Sequence, residues 1–304
     1  MTFSRPPAVL IVNPNAGRFP EHRLPDVIAA LGSRFRLEVV STTARSTGIR
    51  MAADAAAAGE SLVIAFGGDG HVNEVANGVA GSDSTLAIIP GGTMNVFARA
   101  LGIPMDPFEA IDFMVERSGK EPQLVPLGQM DERYFTFSAG CGFDAEAAER
   151  VERYVPAKRR FGEVFFYWSA FRVLAGSYRH RAPSMLLTGP FGEVPVAMTI
   201  VCNAGPYAYL GGIAVDLAPD VSLYGGLDVF ALKQMRVEAL PLYAWRILVS
   251  RDIVHHSDVF YASNLDKFTL TADEPFYRHV DGEPLGPAVT ARFAIVEDAL
   301  RVCA

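Results

Sequence analysis

The chain has 304 residues, of which half are hydrophobic and a fifth are charged. At about 100 to 200 residues per domain, this length predicts two domains whose cores need no disulfide or metal support. With 34 acidic and 27 basic side chains the formal net charge is −7, which excludes an overall basic nucleic-acid binder and, with this apolar content, global disorder. The three cysteines form no CxxC pair, and no apolar run approaches the ~18 to 20 residues that span a bilayer. We therefore expect a cytoplasmic protein.

The first 120 residues alternate short buried strands with helices, a pattern that predicts a parallel sheet covered on both faces. The predicted elements run in chain order as strand 8–12, helix 23–32, strand 36–40, helix 48–58, strand 62–66, helix 71–81, strand 85–90, and helices 94–101 and 107–117. Ligands of such a sheet lie beyond the carboxyl ends of its strands.

From about residue 122 the pattern changes to hairpins, which predicts a mostly antiparallel β domain. Polar turns at 130–132 and 190–193 separate the first four of its strands, 123–127, 133–140, 185–189 and 194–203. Further strands are predicted at 227–233, 267–273, 276–280 and 289–296, with helices near 144–154, 161–175 and 238–250. The fold class is therefore α/β, with a parallel-sheet domain followed by an antiparallel β domain.

Three polar, glycine-rich segments each follow a predicted strand of the first domain. They are Asn13-Pro14-Asn15-Ala16-Gly17, Gly67-Gly68-Asp69-Gly70 and Pro90-Gly91-Gly92-Thr93-Met94-Asn95. Glycine lets backbone N–H groups approach a phosphate closely, and a following helix presents its positive end. One such segment alone is equally well a strand-to-helix turn, but three along one sheet edge favour a phosphate site.

The usual nucleotide motifs are absent from these segments. The chain has no G-x-x-x-x-G-K-[ST] loop, and Asn73 stands where a dinucleotide fingerprint has its third glycine. Asp69, between glycines at a strand end, is a candidate magnesium ligand, proton acceptor or water-holding carboxylate.

Together these segments resemble the diacylglycerol-kinase catalytic family, the bacterial lipid kinases related to sphingosine and ceramide kinases. The matching stretches are the first loop 13–17, the signature Gly67-Gly68-Asp69-Gly70-His71-Val72-Asn73-Glu74-Val75, the second loop 90–95, and Gly142-Phe143-Asp144-Ala145, Asn203-Ala204-Gly205-Pro206-Tyr207, Ala218-Pro219-Asp220 and Asp281-Gly282-Glu283. The resemblance covers nearly the whole chain.

The resemblance implies a nucleotide-binding domain with the NAD-kinase fold over residues 1–122 and the tail 296–304, and a β-sandwich lipid-substrate domain over 123–295. ATP would lie in the cleft between them, with magnesium as the second cofactor. The residues implied to hold ATP are Asn13, Pro14, Asn15, Ala16, Gly17, Thr43 (from the pair Thr42 and Thr43), Gly67, Gly68, Asp69, Gly70, His71, Asn73, Glu74, Gly92 and Thr93.

Two carboxylates are the implied catalytic residues. Glu283 matches the family's proposed proton acceptor, and Asp69 would organise the metal and water; which of them is the general base is left open. Asp281-Gly282 is also a good β-turn dipeptide, so the turn competes with a functional interpretation there.

Two positions depart from the family pattern. His71 stands where threonine is usual after GGDG, and it fits an exposed helix-start residue as well as a catalytic one. Gly225 stands where the family commonly has an aspartate that helps to bind a structural magnesium. A magnesium site near Leu223 to Asp228 is therefore doubtful, unless a one-residue-shorter loop lets Asp228 swing into place.

The implied partner is a lipid at a membrane surface, with no nucleic acid and no transmembrane segment; a homodimer is left open. The basic run Lys158-Arg159-Arg160 would face ATP phosphates or lipid headgroups. Two alternatives to a lipid kinase remain, an NAD kinase-like enzyme and a catalytically weak nucleotide- or lipid-binding regulator. The sequence does not identify the lipid.

Overall fold

The computed structural model describes residues 5–14, 21–44, 46–142, 145–146, 184–210 and 213–304. The chain divides into two compact units, Met1–Leu127 with Val296–Ala304, and Gly128–Ile295. Of the three predicted helices in the second half, those near 144–154 and 161–175 lie outside the described residues, apart from residues 145–146. Within the described ranges, no helix is both long enough and apolar enough to cross a membrane.

The first unit is built on a parallel sheet. The strands are β1 (Pro7–Val12), β2 (Arg36–Ser41), β3 (Leu62–Gly67), β4 (Thr85–Pro90) and the last strand of the chain, β18 (Ala288–Val302). The first four lie in the order β2-β1-β3-β4, and the end of β18 pairs in parallel with β4. The helices are α1 (Leu24–Arg34), α2 (Thr47–Ala57), α3 (Asp69–Val79), α4 (Val96–Ala100) and α5 (Pro107–Arg117).

Alternating residues of the central strands pack against opposite layers of helices, as the period of two in a strand requires. Leu10, Ile64 and Ile89 join the core beneath α1 and α5, which contribute Leu31 and Met114. Strands β1, β3 and β4 are almost wholly buried, whereas β2 at the edge is mostly exposed. The prediction of a parallel α/β domain is confirmed.

The second unit is an antiparallel β-sandwich. Its strands, apart from β18, are β5 (Gln123–Met130), β6 (Arg133–Phe135), β7 (Ser138–Gly142), β8 (Met185–Gly189), β9 (Gly192–Val196), β10 (Met198–Cys202), β11 (Ala208–Leu210), β12 (Ile213–Val215), β13 (Leu227–Leu232), β14 (Val259–Leu265), β15 (Lys267–Phe276), β16 (Arg278–Val280) and β17 (Glu283–Pro284). One sheet has the order β14-β13-β10-β7-β16-β17, and the other contains β18-β15-β8-β9. Side chains from both sheets, such as Val201, Val229, Leu187 and Leu270, form one core.

Two stretches predicted as single strands are divided in the structure. The stretch 194–203 changes at Ala197 from β9 in one sheet to β10 in the other, and 133–140 is interrupted between β6 and β7. Helix 238–250 is a 3₁₀ turn (Val237–Ala239), an α-helix, here α6 (Leu240–Trp245), and a π-helical turn (Arg246–Ser250). All three cysteines are buried.

Candidate active site

The ends of β3 and β4 bring two glycine pairs into contact. The N–H of Gly91 donates to the carbonyl of Gly67 over 2.8 Å, and a Cβ atom on Gly92 would lie 2.6 Å from the Cα of Gly68. No side chain fits between backbones at that distance, so glycine is required for the approach. The result is a sheet edge lined by bare backbone.

The first loop begins at the same edge. The N–H of Asn13 donates to the carbonyl of Phe66 over 3.3 Å, which places the end of β1 beside the end of β3. The N–H of Thr42 donates to the carbonyl of Val12 over 2.9 Å, and Thr43 beside it is exposed. Residues Asn15, Ala16 and Gly17 lie outside the described residues. The structure therefore brings together the parts of the three segments that it describes.

Asp69 is the first residue of α3 and holds the start of α4. Its Oδ2 accepts a hydrogen bond from the N–H of Asn95 over 2.8 Å, and its Oδ1 accepts one from the N–H of Val96 over 2.6 Å. The unpaired N–H groups of a helix start favour a carboxylate. The half-buried Asp69 thus ties the end of β3 to the loop after β4.

Asn95 closes that second loop and was not among the predicted site residues. Its backbone is left-handed, with φ of 48°, and its side chain makes two bonds with Gly92, accepting from the N–H and donating to the carbonyl over 3.0 Å each. Asparagine tolerates this conformation better than most residues, so an asparagine at the end of a glycine-rich loop is the sequence feature that indicates such a turn. Thr93 is left exposed on the loop between them.

His71 is buried in the first unit, so the interpretation as an exposed helix-start residue is wrong. Its Nε2 lies 2.9 Å from the carbonyl oxygen of Ile11 and therefore donates to it. Burial lowers the pKa of His71, despite the opposing effects of that hydrogen bond and of Glu74. The ring packs beneath Gly67, where a Cβ would come within 2.7 Å of it.

Glu74 binds the start of α2. Its Oε1 accepts from the N–H of Ser46 over 2.8 Å and its Oε2 accepts from the N–H of Gly48 over 2.9 Å. Asn73 is also fully buried, and its carbonyl and side-chain oxygen accept from Asn77. The contacts of these two residues are structural ones; direct binding of ATP by them stays a prediction.

In the second unit, Asp281 anchors the turn that precedes Glu283. Val280 pairs with Glu283 across a two-residue turn in which Asp281 and Gly282 have φ of 47° and 80°. The buried carboxylate of Asp281 accepts hydrogen bonds from the N–H groups of Thr136, Phe137 and Ser138 and from the Thr136 hydroxyl, over 2.7 to 3.0 Å. Burial raises the pKa of Asp281, and these hydrogen bonds oppose the rise. The predicted β-turn at Asp281-Gly282 is therefore present, and the carboxylate of Asp281 holds it against the segment from Thr136 to Ser138.

Glu283 follows this turn and forms an ion pair with a residue that the sequence analysis did not single out. Its Oε2 lies 2.9 Å from Nη2 of Arg133, and each side chain is 19% exposed. Both residues belong to the second unit.

The loop from Leu223 to Asp228 is closed by hydrogen bonds that its backbone N–H groups donate. Gly225 donates to Ser222 and Gly226 to the side chain of Asn264. Asp228 accepts from the hydroxyl of Tyr261 and from the N–H of Asn264, so both its oxygens have partners in the protein. Burial raises the pKa of Asp228, against the effect of these bonds. The described residues contain no group of three or more His, Cys, Asp or Glu side chains placed to hold a metal.

Comparisons with known proteins agree with this geometry. Residues 7–127 match the model of the diacylglycerol kinase catalytic domain. The diacylglycerol kinase of Bacillus subtilis is 30% identical over 284 residues, covering 91% of this chain and 89% of that protein. A probable lipid kinase, YegS-like, of Pseudomonas putida is 29% identical over 283 residues, covering 91% and 90%. The crystal structure of a putative diacylglycerol kinase from Bacillus anthracis superimposes with a TM-score of 0.73 at 24% identity, over 100% of this chain and 98% of that one.

The chain has a parallel-sheet unit with a glycine-lined edge and a β-sandwich unit. Together with the similarity to these relatives, this fold identifies the chain as a lipid kinase. The chain belongs to the diacylglycerol kinase catalytic family. The predicted family and enzyme class are confirmed.

Proposed function

We propose that the chain binds ATP at the glycine-lined edge of its parallel sheet and transfers the γ-phosphoryl group to the hydroxyl of diacylglycerol or a related lipid. The observation that carries this proposal is the contact of Gly67 and Gly68 with Gly91 and Gly92 at the strand ends, in a chain of this family. Backbone without Cβ atoms lets a phosphate approach the N–H groups closely.

The donor chemistry of this edge fits a nucleotide with magnesium. Asp69 supplies carboxylate oxygens, the ligands that magnesium prefers, and the exposed Thr93 supplies a hydroxyl. Magnesium bound with ATP would neutralise charge on the phosphate oxygens. Asp69 also fixes the loop that carries Thr93, because it binds the N–H groups of Asn95 and Val96.

In the proposed reaction the lipid hydroxyl oxygen bonds to the γ-phosphorus as the bond from that phosphorus to the β–γ bridging oxygen breaks. The electron pair of the broken bond leaves with ADP, and the hydroxyl proton passes to the carboxylate of Glu283. The products are a phosphorylated lipid and ADP. Glu283 suits this role because it follows a turn that Asp281 holds rigidly.

The second unit exposes an apolar strip that suits a lipid. Leu242, Trp245 and Val249 recur at helical spacing on α6 and the π-helical turn, and their exposed fractions are 44%, 51% and 66%. Ile213 on the neighbouring β12 is 50% exposed. Tyr243, which points the other way, is buried. We assign Leu242, Trp245, Val249 and Ile213, here named the apolar strip, to contact with the lipid or the membrane that contains it.

The proposed function is tested by incubating the protein with [γ-³²P]ATP, Mg²⁺ and a total bacterial lipid extract, followed by thin-layer chromatography. We expect label in a single phosphorylated lipid that comigrates with phosphatidate. Label in a different lipid would correct the acceptor. No label in any lipid, with ATP bound in a filter assay, would replace the kinase with a nucleotide-binding regulator.

A further inference from the structure

Arg133 is the charged partner of the proposed proton acceptor. It lies on β6 and Glu283 lies on β17, 150 residues further along the chain, with 2.9 Å between Nη2 and Oε2. Because each side chain is 19% exposed, solvent screens this pair less than a surface pair. Such a contact favours the ionised form of the carboxylate.

The backbones that carry these two side chains are bound to each other. Immediately after β6, the N–H groups of Thr136, Phe137 and Ser138 all donate to the carboxylate of Asp281. In return the N–H of Asp281 donates to the carbonyl of Ser138 over 2.7 Å. The segment that follows Arg133 and the turn that precedes Glu283 therefore form one rigid piece, which presents the guanidinium to the carboxylate.

We propose that Arg133 is a positioning residue that keeps the carboxylate of Glu283 ionised and in one orientation, ready to accept the proton of the lipid hydroxyl. A general base works only when it is ionised and correctly aimed. The guanidinium is always charged and its donors lie in a fixed plane, so it fixes the direction of a carboxylate better than a lysine ammonium does. This inference rests on the proposed role of Glu283 in the proposed function.

The test compares the wild type, Arg133→Gln, Arg133→Lys, Glu283→Gln and the double variant Arg133→Gln/Glu283→Gln. Turnover and the Michaelis constant for ATP are measured from pH 5.5 to 9 with dioleoylglycerol in detergent micelles, Mg²⁺ and [γ-³²P]ATP. We expect Arg133→Gln to lower kcat about 10-fold to 100-fold, to change the Michaelis constant for ATP less than about 3-fold, and to move the acid limb of the pH profile to higher pH. Arg133→Lys, which keeps the charge, should restore the acid limb and part of the turnover.

The double variant separates positioning from a general structural effect. If Arg133 acts through Glu283, adding Arg133→Gln to Glu283→Gln should lower kcat by less than about 2-fold. The matched control is Arg278→Gln, since Arg278 forms an ion pair with Asp131 in the same unit and its side chain is 15% exposed. This control should lower the thermal midpoint without moving the acid limb.

The outcomes distinguish the inference from the function on which it rests. If Glu283→Gln keeps wild-type turnover, the proposed base is wrong and the inference falls with it. Two other results would keep Glu283 as the base and overturn the positioning role of Arg133; in both, Glu283→Gln is slow. In the first, Arg133→Gln turns over like the wild type. In the second, Arg133→Gln lowers kcat equally in the wild-type and Glu283→Gln backgrounds and does not shift the acid limb.

Discussion

At the scale of single residues, each of the two acidic side chains of the GGDG signature binds backbone N–H groups at the start of a helix. Asp69 accepts from two N–H groups at the start of α4, and Glu74 accepts from two at the start of α2. The sequence shows where each carboxylate stands relative to a strand. It does not show which N–H groups point at the carboxylate, because that depends on the left-handed backbone of Asn95 and Ser46.

Asp69→Ala should therefore affect stability as well as activity. Loss of two charge-assisted hydrogen bonds should lower the free energy of unfolding by about 1 to 3 kcal/mol, and loss of the carboxylate at the phosphates should lower turnover at least ~100-fold. Urea unfolding and the lipid kinase assay measure the two effects. Turnover within a few-fold of wild type would remove Asp69 from the proposed machinery.

At the scale of elements, apolar patterning predicted the parallel-sheet unit and most strands of the β-sandwich, because buried strands and hairpins leave a local signal. It did not predict that 194–203 changes sheets at Ala197, since alternation looks the same in both sheets. For the glycine-rich loops, the sequence predicts only their positions after the strands. Their contact, Gly68 against Gly92, depends on strand order, which is a property of the folded sheet.

Gly92→Ala tests that contact. Its Cβ would meet the Cα of Gly68 at 2.6 Å, so one of the two loops must move. We expect the Michaelis constant for ATP to rise about 10-fold or more, because loosely held N–H groups bind phosphate less well. The matched control is Gly32→Ala in α1, where nothing lies within 4 Å; it should leave ATP binding unchanged and stabilise the protein by about 0.5 to 1 kcal/mol. Unchanged ATP kinetics in Gly92→Ala would exclude this edge as the ATP site.

α6 is fastened to the second unit through Asp258. Burial opposes ionisation of Asp258, but hydrogen bonds from Tyr243, Gln234 and Arg236 outweigh it and lower the pKa of this carboxyl to about 2. The pKa of Asp258 is lower in the folded state than in the unfolded state. The ionised carboxylate therefore stabilises the fold fully above about pH 4, and this stabilisation is lost as the pH falls towards 2. Tyr243→Phe should lower the free energy of unfolding by about 1 to 3 kcal/mol at pH 7 and by less near pH 2.5. An equal loss at both pH values, measured by urea unfolding, would show that Tyr243 stabilises α6 by packing instead.

At the scale of the whole molecule, a chain with net charge −7 gains little from general attraction to an anionic membrane, so lipid contact must be local. The apolar strip supplies such a place. Its exposure could not be predicted from the sequence, because the spacing of Leu242, Trp245 and Val249 is equally typical of a core-facing helix.

Replacing the apolar strip residues Leu242, Trp245 and Val249 by serine should weaken binding to vesicles of phosphatidylcholine with diacylglycerol about 10-fold or more. The measurement is vesicle sedimentation. Val39→Ser is the control, because Val39 is 40% exposed on β2 of the other unit. Equal binding of the triple variant and the control would show that lipid contact lies elsewhere in the chain.

The most direct measurement offers the protein two acceptors at once. Purified protein is incubated with [γ-³²P]ATP, Mg²⁺, micellar dioleoylglycerol and an equal concentration of NAD, and the products are separated by chromatography. We predict labelled phosphatidate with one ADP released per phosphate transferred, and no labelled NADP. Label in NADP with none in phosphatidate would contradict the proposed lipid kinase activity.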